Sequence, residues 1–230
     1  MDLGLTAEQK ETLMQMSRQT ADPAYMQAVL RDGFDATPAE IWLNGRIACG
    51  KDFIGRALAQ YGYWHKGVGE LIATELEVDE DLPPGYIYSN ATRKDEYRGK
   101  LQAWGNKRRA EDPEYWLKAW LLARGNVQAP AVQTSCRFIR EAVMAMRRRS
   151  FVLRVVVPEE IRQARIAKLY PNHTEANDAN PSEGEIDRVP YHGTINGNLS
   201  AAEVLGAVRH AYMWWRVCNC PVYNSTQLFL

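Results

Sequence analysis

The sequence has few cysteines, no long apolar run and no excess of charge of either sign. Its 230 residues include four cysteines, and 28 basic residues balance 28 acidic ones. A disulfide scaffold needs a far higher share of cysteine, and a membrane-spanning helix needs roughly 18 successive apolar residues, so both classes are excluded. The start, MDLGLTAEQK, lacks the basic and then apolar layout of a secretory signal. We therefore expect a cytoplasmic protein with reduced cysteines and no membrane contact.

Catalytic signatures are also scarce. We recognise no phosphate-binding glycine-rich loop with a lysine, no dinucleotide fingerprint, no nucleophile elbow and no HExxH pair. The sequence therefore predicts no cofactor, and an enzyme is not the favoured interpretation.

Local signals predict short helices in the first third of the chain. Thr37-Pro38-Ala39-Glu40 combines an N-cap residue with a proline at the first helical position, which is typical of a helix start. Asn44-Gly45 then predicts a break, and a further helix is expected over residues 51–61. The layout is that of short helices joined by a tight corner.

An alternating pattern follows the glycines near residue 67. Ile72, Thr74, Leu76 and Val78 recur at every second position, which favours a strand. A return strand over residues 85–89 would complete a hairpin near residues 70–89. Helix, turn, helix and hairpin together outline a winged helix, with Lys51, Arg56 and Gln60 on its reading helix. Because this segment is net acidic, a helical core or a protein-docking module is favoured over DNA reading.

The remainder predicts further helices, one clear strand and one long loop. Residues 151–157 are rich in β-branched side chains and predict a strand, whereas residues 171–198 have no apolar period and predict a long acidic loop. The expected fold class is α+β, predominantly helical, with a small β-sheet made of the 70–89 hairpin and the 151–157 strand. We divide the chain into an acidic helical segment, 1–90, and a basic segment, 91–230, which could form one compact domain.

Charge is strongly segregated along the chain. Residues 1–90 carry 7 basic and 14 acidic side chains, residues 91–150 carry 14 and 6, and residues 151–230 carry 7 and 8. The central helices therefore predict a basic face with interleaved aromatic rings, as nucleic-acid surfaces have. The predicted binding residues are Arg93, Lys100, Lys107, Arg108, Arg137, Arg140, Arg147 and Arg148. A solvated face, or basic helices that face acidic parts of the same chain, would give the same pattern.

The long loop supplies the candidate metal and catalytic residues. Carboxylates and imidazoles at close spacing can hold a divalent cation that activates water. The candidate metal ligands are His173, Asp178 and Glu185, and the candidate catalytic pair is Asp187 and His192. A metal-dependent nuclease or other hydrolase is therefore one hypothesis, although a lone acidic loop is more often structural.

Three functions follow, in decreasing order of preference. The first is a non-enzymatic protein that binds nucleic acid or another polyanion through helices 93–149. The second is an assembly or interaction protein, such as a viral or mobile-element component or an inhibitor of a host complex, whose uneven charge gives docking specificity. The third is the hydrolase. The expected partner is nucleic acid or an acidic protein surface, and a homo- or hetero-oligomer is compatible with the sequence.

Overall fold

The first described element is a strand, where the sequence predicted the start of a helix. The computed structural model describes residues 37–170 and 184–218. Its strand β1, Glu40–Asn44, is buried at all five positions. Ile41, Trp42 and Leu43 form the continuous apolar run that a strand covered on both faces requires. Burial of this apolar run within the sheet therefore determines the structure, although residues 37–40 carry a helix-start signal.

Five parallel strands form one sheet with β1 at its centre, in the order β2-β3-β1-β4-β5. The other strands are β2 (Trp64–His65), β3 (Ala131–Cys136), β4 (Phe151–Val156) and β5 (Gly193–Asn196). Ile41 lies opposite Val132 of β3 on one side and Phe151 of β4 on the other. The fold is α/β with flanking helices, so the predicted α+β class with a small hairpin sheet is wrong.

Helices connect the strands, as parallel pairing requires. The first five are α1 (Lys51–Ala59), α2 (Val68–Asp79), α3 (Ala91–Glu96), α4 (Arg98–Glu111) and α5 (Tyr115–Arg124). The others are α6 (Ile139–Arg147), α7 (Glu159–Leu169), a 3₁₀ turn (Ile186–Arg188) and α8 (Ala201–Cys218).

The predicted hairpin over residues 70–89 is a helix followed by turns. Val68, Ile72 and Leu76 of α2 are buried at a spacing of four. The segment therefore follows the helical period and not the alternating pattern of a strand. The backbone N–H groups of Gly85 and Ile87 each donate to the buried Glu77 carboxylate at 2.8 Å. A side chain thus takes the hydrogen bonds that a return strand would have needed, and the winged-helix layout has neither its second helix nor its hairpin.

The strand at 151–157 exists as β4, but it pairs with β1 and β5 and not with a hairpin. The predicted loop 171–198 includes β5 and the 3₁₀ turn at its end. Helix α8 begins directly after Ser200, and Glu203 accepts from the backbone N–H and the hydroxyl of Ser200 at 2.8 and 2.7 Å.

Tryptophans occupy the centre of the core. The Trp120 ring of α5 lies 5.3 Å from the Trp42 ring and 5.4 Å from the Trp64 ring, measured between centroids. Both buried indole N–H groups are satisfied, since Trp120 donates to the Lys66 carbonyl and Trp42 to the Glu40 carboxylate, each at 2.8 Å. Trp120 of α5 therefore packs against the sheet.

The chain forms two compact units, residues 38–207 and residues 1–37 with 208–230. In the second unit the structure describes Thr37 and the 208–218 end of α8. The division at residue 90 stays a prediction, although β1 pairs with β3 and β4 from beyond it. Within the described ranges, no helix combines the length and the apolar character needed to cross a bilayer.

Candidate functional site

The loop between β1 and α1 has the spacing of a phosphate-binding loop. It reads Gly45-Arg46-Ile47-Ala48-Cys49-Gly50-Lys51-Asp52, which is a glycine, four residues, and then glycine-lysine. The statement that the sequence holds no such loop is therefore wrong. Asn44-Gly45 looks like a corner between helices, and Asp52 stands where the pattern has serine or threonine, so the spacing escapes notice.

Close approach of the backbone requires glycine at both ends of this loop. Gly45 and Gly50 have φ angles of 145° and 105°, in the region that side chains disfavour. A Cβ atom at Gly50 would lie 2.6 Å from the carbonyl oxygen of Gly197, and one at Gly45 would lie 2.7 Å from the carbonyl oxygen of Val155. The loop is thus packed against the end of β4 and the residue that follows β5.

Lys51 is folded back over the loop. Its Nζ donates to the carbonyl oxygens of Gly45 and Arg46, the latter at 2.8 Å, and lies 3.5 Å from Cys49 Sγ. Burial lowers the pKa of this ammonium. Gly50, at the N-cap of α1, has no side chain with which to cap the helix. The N–H groups of the first helical turn, the helix dipole and the ammonium are together arranged as they are in anion-binding helix termini.

A cavity of about 670 Å³ opens beside this loop. Its wall combines the loop and α1 with the ends of β2 and β3, through His65 and Thr134. Among the described residues, the cavity is lined by seven cationic side chains but by only two carboxylates, those of Asp52 and Glu70. The cations are Lys51, Arg56, Lys94, Arg98, Arg109, Arg137 and Arg165. The balance favours a ligand that carries several negative charges.

Three of these arginines are partly desolvated. Arg98 donates to Asp95 at 3.0 Å and its guanidinium stacks 4.4 Å from the Tyr170 ring, which leaves a buried terminal nitrogen without a hydrogen-bond partner in the described part of the chain. Burial lowers the pKa of Arg109 and of Arg137. Charged donors held in this state gain from an anionic ligand.

Asp52, Lys94 and Tyr88 form a cluster at the first turn of α1. Lys94 Nζ lies 3.3 Å from Asp52 Oδ2 and 4.3 Å from the centre of the Tyr88 ring. Partial burial opposes ionisation of Asp52, but the Lys94 and Lys51 ammoniums outweigh it and hold its pKa far below the usual range. Despite its own burial, Lys94 has a raised pKa because Tyr88 and Asp52 stabilise its charge.

His65 ends β2 on the cavity wall with its Nε2 atom buried and without a partner among the described residues. Burial lowers the pKa of this imidazole. The unfolded chain takes up a proton near pH ~6.5, whereas the folded chain takes it up only at lower pH. The stability that neutral His65 contributes is therefore complete above the unfolded-state pKa. It is lost progressively as the pH falls from there to the folded-state pKa.

We expect wild type to lose stability faster than His65→Gln between pH 6.5 and pH 5. The difference in slope should approach, at most, about 1.4 kcal/mol per pH unit. Urea unfolding at a series of pH values measures it, and the pair compared at pH 8 isolates the packing effect of the substitution. Parallel pH profiles for the two proteins would contradict this assignment.

The residues of the predicted basic face have separate surroundings. Lys100 pairs with Glu80 at 2.8 Å and Arg108 with Glu75 at 3.0 Å. Glu75 lies in α2, and Glu80 directly follows this helix. Arg93 lies over the Tyr86 ring, Lys107 lies over the Trp104 ring, and Arg137 lines the cavity. Arg140, Arg147 and Arg148 are exposed on and after α6, and Arg148 comes within 4.0 Å of Glu40.

The predicted function of non-enzymatic nucleic-acid binding is wrong. Acids of the same chain neutralise part of the basic set, Arg137 lines a cavity, and the cavity adjoins a loop with the spacing of a phosphate-binding loop. The assembly and viral-component alternative and the hydrolase built on the acidic loop belong to the same overturned interpretation. The prediction of a nucleic-acid or acidic partner, as such, stays untested.

The structure gives the acidic-loop candidates different partners. Asp187 pairs with Arg46, and Glu185 accepts from the Ile139 N–H at 3.2 Å. His192 stacks on Phe151, and its Nδ1 accepts from the Val152 N–H at 2.9 Å. His173 and Asp178 lie outside the described residues. Among residues 37–170 and 184–218, no three His, Cys, Asp or Glu side chains are grouped as metal ligands. The individual catalytic and metal assignments stay predictions.

Comparison with known proteins gives structural likenesses alone. No family model matches the chain, and no curated protein matches it. A Thermus thermophilus structure, TT1252, is similar at 19% identity and a TM-score of 0.49, over 78% of this chain and 98% of that one.

Two shikimate kinase structures are similar at lower TM-scores. The Aquifex aeolicus enzyme has 14% identity and a TM-score of 0.40, over 74% of this chain and 92% of its own. The Acinetobacter baumannii enzyme, in complex with shikimate, has 19% identity and a TM-score of 0.43, over 76% and 92%. These three TM-scores lie below 0.5, so the chemistry of the site follows from this chain's own residues.

Proposed function

We propose that the protein is a phosphotransferase that moves the γ-phosphoryl group of a nucleoside triphosphate to a small anionic acceptor. The observation that carries the proposal is Lys51, held over the Gly45–Gly50 loop at the N-terminus of α1. In such loops, backbone N–H groups cradle phosphates and the lysine reaches the β- and γ-phosphates.

The position of the loop in the sheet supports the same proposal. β1 is the central strand, and the chain adds β3 and β2 on one side of it and β4 and β5 on the other. Ligands of open parallel sheets bind beyond the carboxyl ends of the strands, at the point where the strand order reverses. The 45–50 loop follows the carboxyl end of β1.

The residues present suit a magnesium ion. Asp52 follows Lys51 at the position of the usual hydroxyl ligand, and carboxylate oxygens are ligands that Mg²⁺ accepts. When bound with a nucleotide, the ion neutralises charge on the β- and γ-phosphates. The chain's own part is to position both substrates and to place cationic side chains where negative charge develops.

The acceptor is expected against the arginine wall of the cavity. Arg98, Arg109 and Arg137 supply charge-assisted donors there, and a cavity of about 670 Å³ is in the size range of small-molecule sites. Arginine holds carboxylate and phosphate groups through its planar fork, so an acceptor that bears one of these groups fits.

Phosphoryl transfer to defined acceptors tests this function. We would follow ATP by ³¹P NMR with Mg²⁺ and panels of phosphomonoesters and hydroxycarboxylates. We expect ADP to form together with a new phosphoryl product from one panel. Arg98→Lys, which removes the fork, should raise the KM for that acceptor by about 10- to 100-fold with unchanged ATP binding. Arg140→Met, on the exposed face of α6, is the control.

Two results would contradict the proposal. One is the absence of ATP binding. The other is ATP hydrolysis at a rate that no acceptor changes and that forms no phosphorylated product.

A further inference from the structure

The residue after the loop lysine brings a negative charge into the phosphate site. The usual residue there is serine or threonine, whose hydroxyl is neutral. Asp52 instead places a carboxylate beside Lys51. A neighbouring carboxylate offsets the attraction that Lys51 exerts on a triphosphate, so a nucleotide without a metal ion meets a less favourable site.

Lys94 supplies the opposite charge in the absence of a ligand. Its Nζ lies 3.3 Å from Asp52 Oδ2, and its side chain is 23% exposed. The lysine sits on α3, a separate segment from the loop, and lines the same cavity. The Asp52–Lys94 ion pair therefore connects the start of α1, beside the 45–50 loop, with the cavity wall that is expected to hold the acceptor.

Tyr88 gives Lys94 a second partner. The Lys94 ammonium lies 4.3 Å from the centre of the Tyr88 ring, and the Tyr88 hydroxyl packs against Gly69, where a Cβ atom would clash. This packing fixes the tyrosine. If a divalent cation takes Asp52, Lys94 keeps the cation–π contact and turns its charge to the cavity.

We propose that Asp52 is a metal-ligating residue and that Lys94 is its counterion in the metal-free protein. Metal and Lys94 then compete for one carboxylate, and nucleotide binds with high affinity only together with a divalent cation. This inference rests on the proposed nucleotide-binding function and adds to it the group that makes binding metal-dependent.

Metal dependence of nucleotide affinity tests the role of Asp52. A fluorescent ATP analogue is titrated in Mg²⁺ and in EDTA, and the ratio of the two Kd values is the metal dependence. We expect a ratio of about 10- to 100-fold for wild type, within the usual range of coupling between two ligands. The ratio should be at least about tenfold smaller for Asp52→Asn, which loses both the ligand and the repelling charge.

Two further variants sharpen the comparison. Asp52→Ser restores the usual hydroxyl, so it should bind the analogue in Mg²⁺ as wild type does but bind it more tightly than wild type in EDTA. Glu96→Gln removes an exposed carboxylate from the same helix as Lys94. Its metal dependence should equal that of wild type.

Binding of Mn²⁺ alone, followed by electron paramagnetic resonance, tests the competition without any nucleotide. Lys94→Met frees Asp52 and should bind Mn²⁺ about tenfold more tightly than wild type, within the usual range for coupled ligands. Asp52→Asn/Lys94→Met should lose this gain. This measurement also decides the matter if Asp52→Asn fails to fold.

The outcomes separate the two proposals. If wild type fails to bind the analogue in both Mg²⁺ and EDTA, the proposed function fails. If wild type binds but Asp52→Asn keeps the metal dependence of wild type and Glu96→Gln, the inference is overturned and the function stands. Equal Mn²⁺ affinity in wild type and Lys94→Met overturns the competition.

Discussion

Replacement of Lys51 by methionine is expected to lower the rate of phosphoryl transfer by about 10²- to 10³-fold. Nucleotide affinity should fall by about 10- to 100-fold, as expected for the loss of hydrogen bonds from a charged donor. The ammonium is already held over the loop by the carbonyl groups of Gly45 and Arg46. It is thus positioned before the ligand arrives.

The Lys51 variant is also expected to fold. Lys51 is 6% exposed, and removal of a desolvated charge offsets part of the loss of its contacts. Circular dichroism checks the fold, and the fluorescent ATP analogue checks affinity. Lys168→Met, in the exposed last turn of α7, is the matched control and should bind as wild type does. Wild-type affinity in Lys51→Met would refute the assignment of the loop.

Replacement of Gly197 by alanine should damage both stability and nucleotide binding. The new Cβ would collide with the carbonyl oxygen of Cys49, inside the 45–50 loop. The backbone N–H of Gly197 donates to the Val156 carbonyl at 2.7 Å, and its own carbonyl accepts from Arg165 at 3.1 Å. Because these two hydrogen bonds hold Gly197 in place, the 45–50 loop must move to make room for the new Cβ. Overpacking of this kind costs about 1–3 kcal/mol or more.

Urea unfolding measures the loss of stability, and titration with the ATP analogue measures the displacement of the loop. Affinity should fall by at least about tenfold, which is the effect of 1.4 kcal/mol. Gly99→Ala is the control, because nothing lies within 4 Å of its Cβ and it stands in α4. It should leave binding unchanged and raise stability by up to about 1 kcal/mol. Wild-type nucleotide affinity in Gly197→Ala would show that the loop does not depend on this contact.

Local patterns predicted elements whose signals agree with their surroundings. The helix expected over residues 51–61 is α1, which spans Lys51–Ala59. β1 was missed because a helix-start signal precedes it, and the cost of leaving Trp42 and its neighbours unburied is a property of the whole sheet. α2 was missed because one stretch fits two periods, and the buried positions alone select the period of four.

The site was only partly accessible to sequence reasoning. The glycine-lysine spacing from Gly45 to Lys51 was present and could have been found by spacing alone, without the following hydroxyl residue. The arginine wall could not, because Arg98 and Arg109 lie at the two ends of α4 whereas Arg137 follows β3, and no local pattern joins the three. Arg137 was predicted to belong to the nucleic-acid-binding face, because its contact with the cavity depends on the course of β3.

Amide chemical shifts test the central claim most directly. The claim is that the loop from Gly45 to Lys51 holds the triphosphate of a nucleotide. In ¹⁵N-labelled protein, addition of ATP with Mg²⁺ should move the backbone N–H signals of Gly50, Lys51 and Asp52 more than any others. Saturating nucleotide that leaves these signals in place, or that moves mainly those of the exposed face of α4, would contradict it.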